Sequence, residues 1–374
     1  FDKANNVHLI KDVGQIPWMM HHLFDYDAAI VTHRKGIQFD YLQTETKGLN
    51  LIEVPKIRLE RYSLSILYFL WREAKNIHVL HLFHHREKSY VYGWVYKWRN
   101  PKGVLYLKSD MGLDSVKENH GLFPPKKFKY WLRYWLFKKL CSLIDISSIE
   151  NKTALTLLHE YYPHHREIFF YLPNGVNLQR MYTLSKLKPF SEKENLIICV
   201  GRIGAVEKNH ELLLEVIPHL TMNDWKIMFI GPIEERFNET IKRFRSQHPQ
   251  LEDCIQFTGA IDDRATLFDW YSRSKILCST SHKESFGLVM IEAMAYASVV
   301  VTTPVASALE ITENETCGFI ANNAQELCDT LTSLMYNDQL CMETGIKARK
   351  RVVQEYDWNN ILPVLEEQIV RHRP

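Results

Sequence analysis

Several things are scarce in this sequence, and each absence removes a class of answer. Its 7 cysteines are odd in number and form no C-x-x-C pair, which argues against a disulfide framework or a thiolate zinc site. Cys141, Cys199, Cys254, Cys278, Cys317, Cys328 and Cys341 therefore read as buried, reduced thiols, and no metal is expected. No run of about 18 uncharged apolar residues occurs, and the start at Phe1 carries no signal-peptide pattern, so neither a membrane span nor export is expected. Internal repeats and low-complexity tracts are also missing. A net charge of one sign is almost absent, the total being +2 over 374 residues.

That total conceals an asymmetry. Residues 1–176 hold 25 Lys and Arg against 17 Asp and Glu, a balance of +8, and the remainder holds 21 against 27, a balance of −6. One half suits an anionic partner that the other does not. With 46% hydrophobic and 24% charged residues, the composition is that of an ordinary folded protein. The length favours two domains over one.

Strand-length apolar runs alternate with stretches of helical spacing. In the first half the runs are 6–10, 28–32, 77–82, 103–107 and 143–147. In the second half they are 196–200, 225–230, 254–258, 276–279 and 299–302, with helices expected near 210–220, 235–247, 264–273, 287–297 and 324–336. This alternation predicts two tandem doubly wound α/β domains of the Rossmann type. The expected division is 1–176, a polar linker at 177–195 after the turn Pro173-Asn174-Gly175-Val176-Asn177, a second domain at 196–357, and a closing helix at 358–374.

Ligands of open parallel sheets bind beyond the carboxyl ends of strands. The exit at Gly201-Arg202-Ile203-Gly204 leads through Glu207-Lys208-Asn209 into a helix, placing two cations and two glycines where a diphosphate would fit. The glycine spacing is not that of a dinucleotide-binding loop. After 276–279, Glu284-Ser285-Phe286-Gly287-Leu288 opens the most apolar helix of the chain, which nevertheless carries Glu292. Ala306-Ser307-Ala308 precedes Glu310 at another exit, and Gly259 follows the strand at 254–258. These exits together suit a diphosphate flanked by polar sugars.

In order and spacing, Pro173 to Asn177, Val200 to Arg202, Glu207 to Asn209, Phe257 to Gly259, Glu284 to Gly287 with Glu292 to Ala295, and Glu310 with Gly318-Phe319 resemble the retaining glycosyltransferases of family four. The resemblance covers roughly residues 170–320. It implies the GT-B fold, two Rossmann-like domains facing across a cleft, and transfer of a sugar from a UDP- or GDP-linked donor with retention and without a required metal or cofactor. It further implies that Arg202 and Lys208 hold the diphosphate and that Glu284 contacts the donor sugar. Glu292 would bind the ribose, and Gly201, Gly259, Ser285, Phe286, Gly287, Leu288 and Glu310 would complete the donor site. Where relatives carry a Gly-Gly pair this chain has Lys11-Asp12-Val13-Gly14-Gln15, so Gly14 takes that place. The position of a histidine facing the donor falls at Lys108-Ser109-Asp110. Asp110 or Lys108 is the candidate there, with His81, His84 and His85 as others.

No acidic residue occurs between Glu118 and Asp145, where Lys126, Lys127, Lys129, Arg133, Lys138 and Lys139 alternate with aromatics. Residues 124–144 are expected to meet an anionic membrane surface; no nucleic-acid reading motif is present. The expectation is a cytoplasmic enzyme, peripheral on the inner face of the membrane, that transfers sugar to a glycan or lipid-linked acceptor of a surface polysaccharide or glycolipid. The alternatives are a sugar-nucleotide epimerase of the same architecture and a non-catalytic nucleotide-sugar-binding protein.

Overall fold

The computed structural model describes residues 4–34, 36, 38–59, 62–109, 131, 134, 135, 138, 139 and 142–373. The chain forms two units, one from residues 1–174 and 358–374, the other from 175–357.

The second unit is built on one parallel sheet. Its strands are β9 (Glu194–Val200), β10 (Lys226–Ile230), β11 (Ile255–Phe257), β12 (Ser274–Ser279), β13 (Val299–Thr302) and β14 (Phe319–Ile320), in the order β11-β10-β9-β12-β13-β14. Renumbered from its own start this is 3-2-1-4-5-6, the dinucleotide-fold order, whose ligand crevice lies where the order reverses, between β9 and β12. Burial on both faces explains the unbroken apolar runs. Ile197 and Cys199 of β9 pack into one core with Phe229, Cys278 and Val301. Leu196 and Ile198 pack into the other with Met228, Leu277 and Val300.

The expected helices at 264–273 and 324–336 occur at Arg264–Arg273 and Ala324–Tyr336, each started by a side-chain cap, from Asp263 and Asn323 respectively. The unit's longest helix, Asp338–Glu355, was not anticipated. Its sequence is charged along much of its length, and buried Gly345 lies so close to the Ala297 carbonyl that a Cβ there would sit 2.3 Å from it.

The stretch 177–195, read as a linker, belongs to the body of this unit. Asn177 caps a helix at Leu178–Leu184. The Tyr296 hydroxyl donates to the Met181 carbonyl at 2.7 Å, and the buried Lys193 ammonium donates to the carbonyls of Ser272 and Ser274. Its polarity misled because Lys193 is buried and satisfied internally by backbone carbonyls.

The first unit divides its strands. β1 (Ala29–His33) and β2 (Asn50–Val54) form a parallel pair, and β3 (Arg58–Leu59) and β4 (Tyr62–Ser63) a short antiparallel one. β5 (Val79–Phe83), β6 (Val104–Ser109), β7 (Ile146–Ile149) and β8 (Phe169–Tyr171) form a four-stranded parallel sheet. The strand expected at 6–10 is instead the helix Asn6–Leu9, followed by Asp12–Phe24. Asn5 caps the first by accepting from the His8 amide. Leu9, Val13, Ile16, Met19 and Met20 recur at helical spacing and are buried. The C-terminal helix Trp358–Arg371 lays Ile361, Leu362 and Leu365 against Ile16, Met19 and Met20, so the chain's end completes the first unit's core.

Candidate functional site

Close backbone packing beside the β9 exit makes a steric demand on Gly231, just past β10. Gly201 sits at the end of β9, its amide bonded to the Ile230 carbonyl, and Gly231 lies so close that a Cβ there would meet the Gly201 oxygen at 1.8 Å. The loop then rises to Lys208 and turns through Asn209, whose φ of 48° lies in the left-handed region that asparagine tolerates.

Lys208 is held from three sides. Its ammonium pairs with the Glu284 carboxylate, both side chains being about four-fifths buried. Its carbonyl accepts from the Thr280 hydroxyl at 3.1 Å. Its neighbour Glu207 accepts from the His282 amide at 2.8 Å, tying the β9 exit to the β12 exit. Below the loop His210 Nδ1 accepts the Gly204 amide at 3.1 Å. Burial, with Lys208 nearby, pushes the His210 imidazole down to about 4, so it is neutral and able to accept. Arg202 is different: its side chain is 60% exposed and reaches back to Glu207, with Glu234 at 3.8 Å.

Beyond Glu284, Phe286 is anchored in the core edge-on to Tyr356, and Ser307 Oγ donates to its carbonyl. Gly287 follows at φ 89°. That left-handed conformation requires glycine there, while the Met290 methyl packed against it at the end of a flexible side chain could move aside. The helix Leu288–Ala295 begins at Gly287 without a side-chain cap, leaving first-turn N–H groups for an anion. Ser285 stands half-buried just before it.

Glu292 explains its own presence in an apolar helix. One carboxylate oxygen accepts from Arg264 at 2.8 Å, the other from the Tyr271 hydroxyl at 2.9 Å. Burial and the Glu292 charge push the Tyr271 phenol far up. Each Glu292 oxygen keeps a lone pair, so the pair of donors orients the carboxylate rather than saturating it. Glu310 lies in the short helix Ala308–Ile311, and Arg351 donates to its carbonyl at 2.6 Å. Gly259 has φ 72° at the β11 exit, and its carbonyl accepts the Gly231 amide at 3.0 Å.

The second unit thus brings Gly201, Lys208, Glu284, Ser285, Phe286, Gly287 and Leu288 to the two strand exits that flank the reversal point. Residues that sequence reasoning missed are Thr280, His210, Arg264 and Tyr271. None belongs to a motif, and each acts by holding a residue that does.

The first unit's candidates scatter. Gly14 lies within the helix Asp12–Phe24, where a Cβ would meet the Leu9 backbone at 2.4 Å, so contact with the preceding helix demands glycine there. Lys108 is fully buried, 4.0 Å from Asp12. His81 stacks on Tyr106 at 4.2 Å and His85 lies 3.2 Å from the Tyr90 hydroxyl. Burial pushes His81 far down and His85 to about 3, leaving both neutral. His84 takes a positive φ of 62°. Asp110 and most of 124–144, including Lys126 and Lys127, lie outside the described residues. Within that segment Lys139 stands over the exposed Trp135 ring at 4.2 Å, and Lys138 over Tyr134 at 5.5 Å. Six of the seven cysteines are free thiols, Cys141 lying outside the described residues. Among the described residues no helix is long and apolar enough to cross a membrane.

Fold and geometry together define a two-unit α/β protein whose second unit carries a Lys–Glu pair at the strand exits of a Rossmann-type sheet. Residues 183–351 match the family model described as Glycosyl transferases group 1. It is similar to phosphatidyl-myo-inositol mannosyltransferase of Mycobacterium leprae, 27% identical over 204 residues that cover 54% of this chain and 52% of the relative. It is also similar to N-acetyl-alpha-D-glucosaminyl L-malate synthase of Bacillus anthracis, 24% identical with 59% and 58% covered. The chain spans about half the length of these curated relatives. Among solved structures it resembles Anabaena HepE in complex with UDP and glucose, at TM-score 0.70, 15% identity and 99% and 97% coverage. A glycosyltransferase from Rickettsia africae gives TM-score 0.72, 20% identity and 96% and 93% coverage. The fold is that of these GT-B proteins.

Proposed function

We propose that the protein is a retaining glycosyltransferase that moves a sugar from a nucleotide-sugar to a glycan or lipid-linked acceptor, without a required metal. One observation carries this reading: the Lys208–Glu284 pair, locked between the β9 and β12 exits beside an uncapped helix start, within a glycosyl transferases group 1 domain. The bond from anomeric carbon to diphosphate oxygen breaks as one from that carbon to an acceptor oxygen forms. The leaving diphosphate gains charge, and Lys208, Arg202 and the helix amides are placed to offset it. Arg202 must leave Glu207 to do so, which its exposure permits. On this reading Glu284 accepts from donor-sugar hydroxyls, and Glu292, oriented by Arg264 and Tyr271, takes the ribose.

The acceptor class follows the relatives' names, a phosphatidyl-inositol mannosyltransferase among them, and the UDP complex of a structural neighbour supports a uridine donor over a guanosine one. The protein acts peripherally on the inner face of a membrane, with 124–144 as a contact. Incubation with UDP- and GDP-sugars, with and without lipid extract, tests the reading through release of nucleotide. Acceptor-dependent release is expected; conversion of the sugar without release would instead mark an epimerase, and binding without either a non-catalytic protein.

A further inference from the structure

In the first unit, hydrophobic side chains face outward where helices usually present polar ones. The helix Leu64–Glu73 buries Ile66 and Leu70, yet its opposite face carries Leu64, Tyr68 and Trp71, spaced four and three residues apart. Trp71 is 42% exposed and Tyr68 64%. The neighbouring helix Glu87–Arg99 adds Trp94 and Trp98, one turn apart and 54% and 58% exposed. The three indoles form one array: Trp94 and Trp98 are parallel with centroids 6.1 Å apart, and Trp71 lies 4.6 Å from Trp98. Ile57 and Leu59, also exposed, extend it along the chain just before the first helix. Single exposed apolar side chains need no explanation, but a contiguous aromatic patch of this kind marks an interaction surface.

The charges around it select the partner. Segments 52–75 and 94–102 hold eight Lys and Arg against three Glu; with Lys97 paired to Asp145 at 2.8 Å, the balance left is +4. Arg99 stands over the Trp71 ring at 4.5 Å and donates to the Trp71 carbonyl. Arg72 holds Glu73 at 2.6 Å, so one of the three carboxylates is already neutralised. Tryptophan and tyrosine with an apolar body, rimmed by cations, fit the headgroup boundary of an anionic bilayer.

We infer that the Trp71–Trp94–Trp98 array is a membrane-docking surface of the first unit, additional to 124–144, and that its partner is an anionic phospholipid surface. The inference rests on the membrane-peripheral reading above for the class of partner alone. Indoles enter the interface while Arg72, Lys75, Arg99 and Lys102 meet lipid phosphates, whose negative surface potential attracts each cation.

The test is cosedimentation of the full chain with phosphatidylglycerol/phosphatidylcholine vesicles and with phosphatidylcholine alone. It compares the native protein, the triple variant W71S/W94S/W98S, and a second variant with Lys126, Lys127, Lys138 and Lys139 replaced by Glu. Native binding to anionic vesicles that falls about tenfold or more in the triple variant, with its thermal midpoint and nucleotide-sugar-induced stabilisation kept, is the expected result. Equal binding by the triple variant, with loss in the lysine variant, would overturn this surface and leave the membrane reading standing. Absence of native binding to either vesicle would overturn both. Retention of the native protein, but not the triple variant, on an immobilised polysaccharide without vesicle binding would replace the bilayer with a glycan as occupant.

Discussion

The second unit spends its polar residues on holding a loop still, whereas the first leaves much of its chemistry either deeply buried or on the surface. Around Lys208, the bonds from Thr280, His210, Glu284 and the His282 amide all restrain a stretch of nine residues. In the first unit Lys108 is fully buried on the inner strand β6, and the three indoles are exposed. Six strands in one sheet put their exits along one edge, where several can converge; strands divided among three small sheets do not.

This contrast can be broken in order of expected effect. Glu292→Ala strips Arg264 and Tyr271 of their shared acceptor in a partly buried site, and should cost the second unit about 3–5 kcal/mol. Urea unfolding reads it, and Glu292→Gln, which keeps an acceptor, should cost less. A native-like midpoint for Glu292→Ala would mean that the carboxylate does not organise this helix pair.

Lys208→Ala should lower turnover about 10²–10³-fold, the usual size of removing one preorganised charge-stabilising donor, and should also lower the melting midpoint because it leaves the Glu284 carboxylate unpaired in a mostly buried site. Nucleotide release measures it, and near-native turnover would refute the diphosphate role.

Acid should loosen both units. His81, His85 and His210 are neutral in the folded protein because burial holds them well below their ordinary 6.5. The unfolded chain binds protons first, so their contribution is complete above pH 6.5 and is lost as pH falls toward about 4 for His210 and about 3 for His85. His210→Gln should flatten the second unit's share of that slope; an unchanged slope would show that His210 is not buried neutral. Smallest of all, Tyr106→Phe removes the 2.7 Å bond to Ser148 Oγ in the first unit and should cost about 0.5–1.5 kcal/mol in stability while sparing donor binding.

Much of the second unit was legible because its signals are local. The apolar runs at 196–200 and 276–279 lie within β9 and β12, and the cations and carboxylates that follow them stand at the exits. The first ten residues were misread because Leu9-Ile10 alone cannot separate strand from helix; the cap at Asn5 and the recurrence through Met20 decide it. The supposed linker was misread for the opposite reason: its Lys193 is polar in sequence but donates to the carbonyl of Ser272, 79 residues away, and its Lys186 carbonyl accepts from the Ser272 hydroxyl.

By itself, then, the sequence determined the alternation of strand and helix, the asymmetry of charge and the motif residues at the strand exits, since periodicity, net charge and turn chemistry act between near neighbours. Only the tertiary structure decided that Glu292 is oriented by Arg264 and Tyr271, that the last helix completes the first core, and that three tryptophans share one exposed face. Each of these depends on which distant residues become neighbours, and that is set by packing as a whole rather than by any local run of the chain.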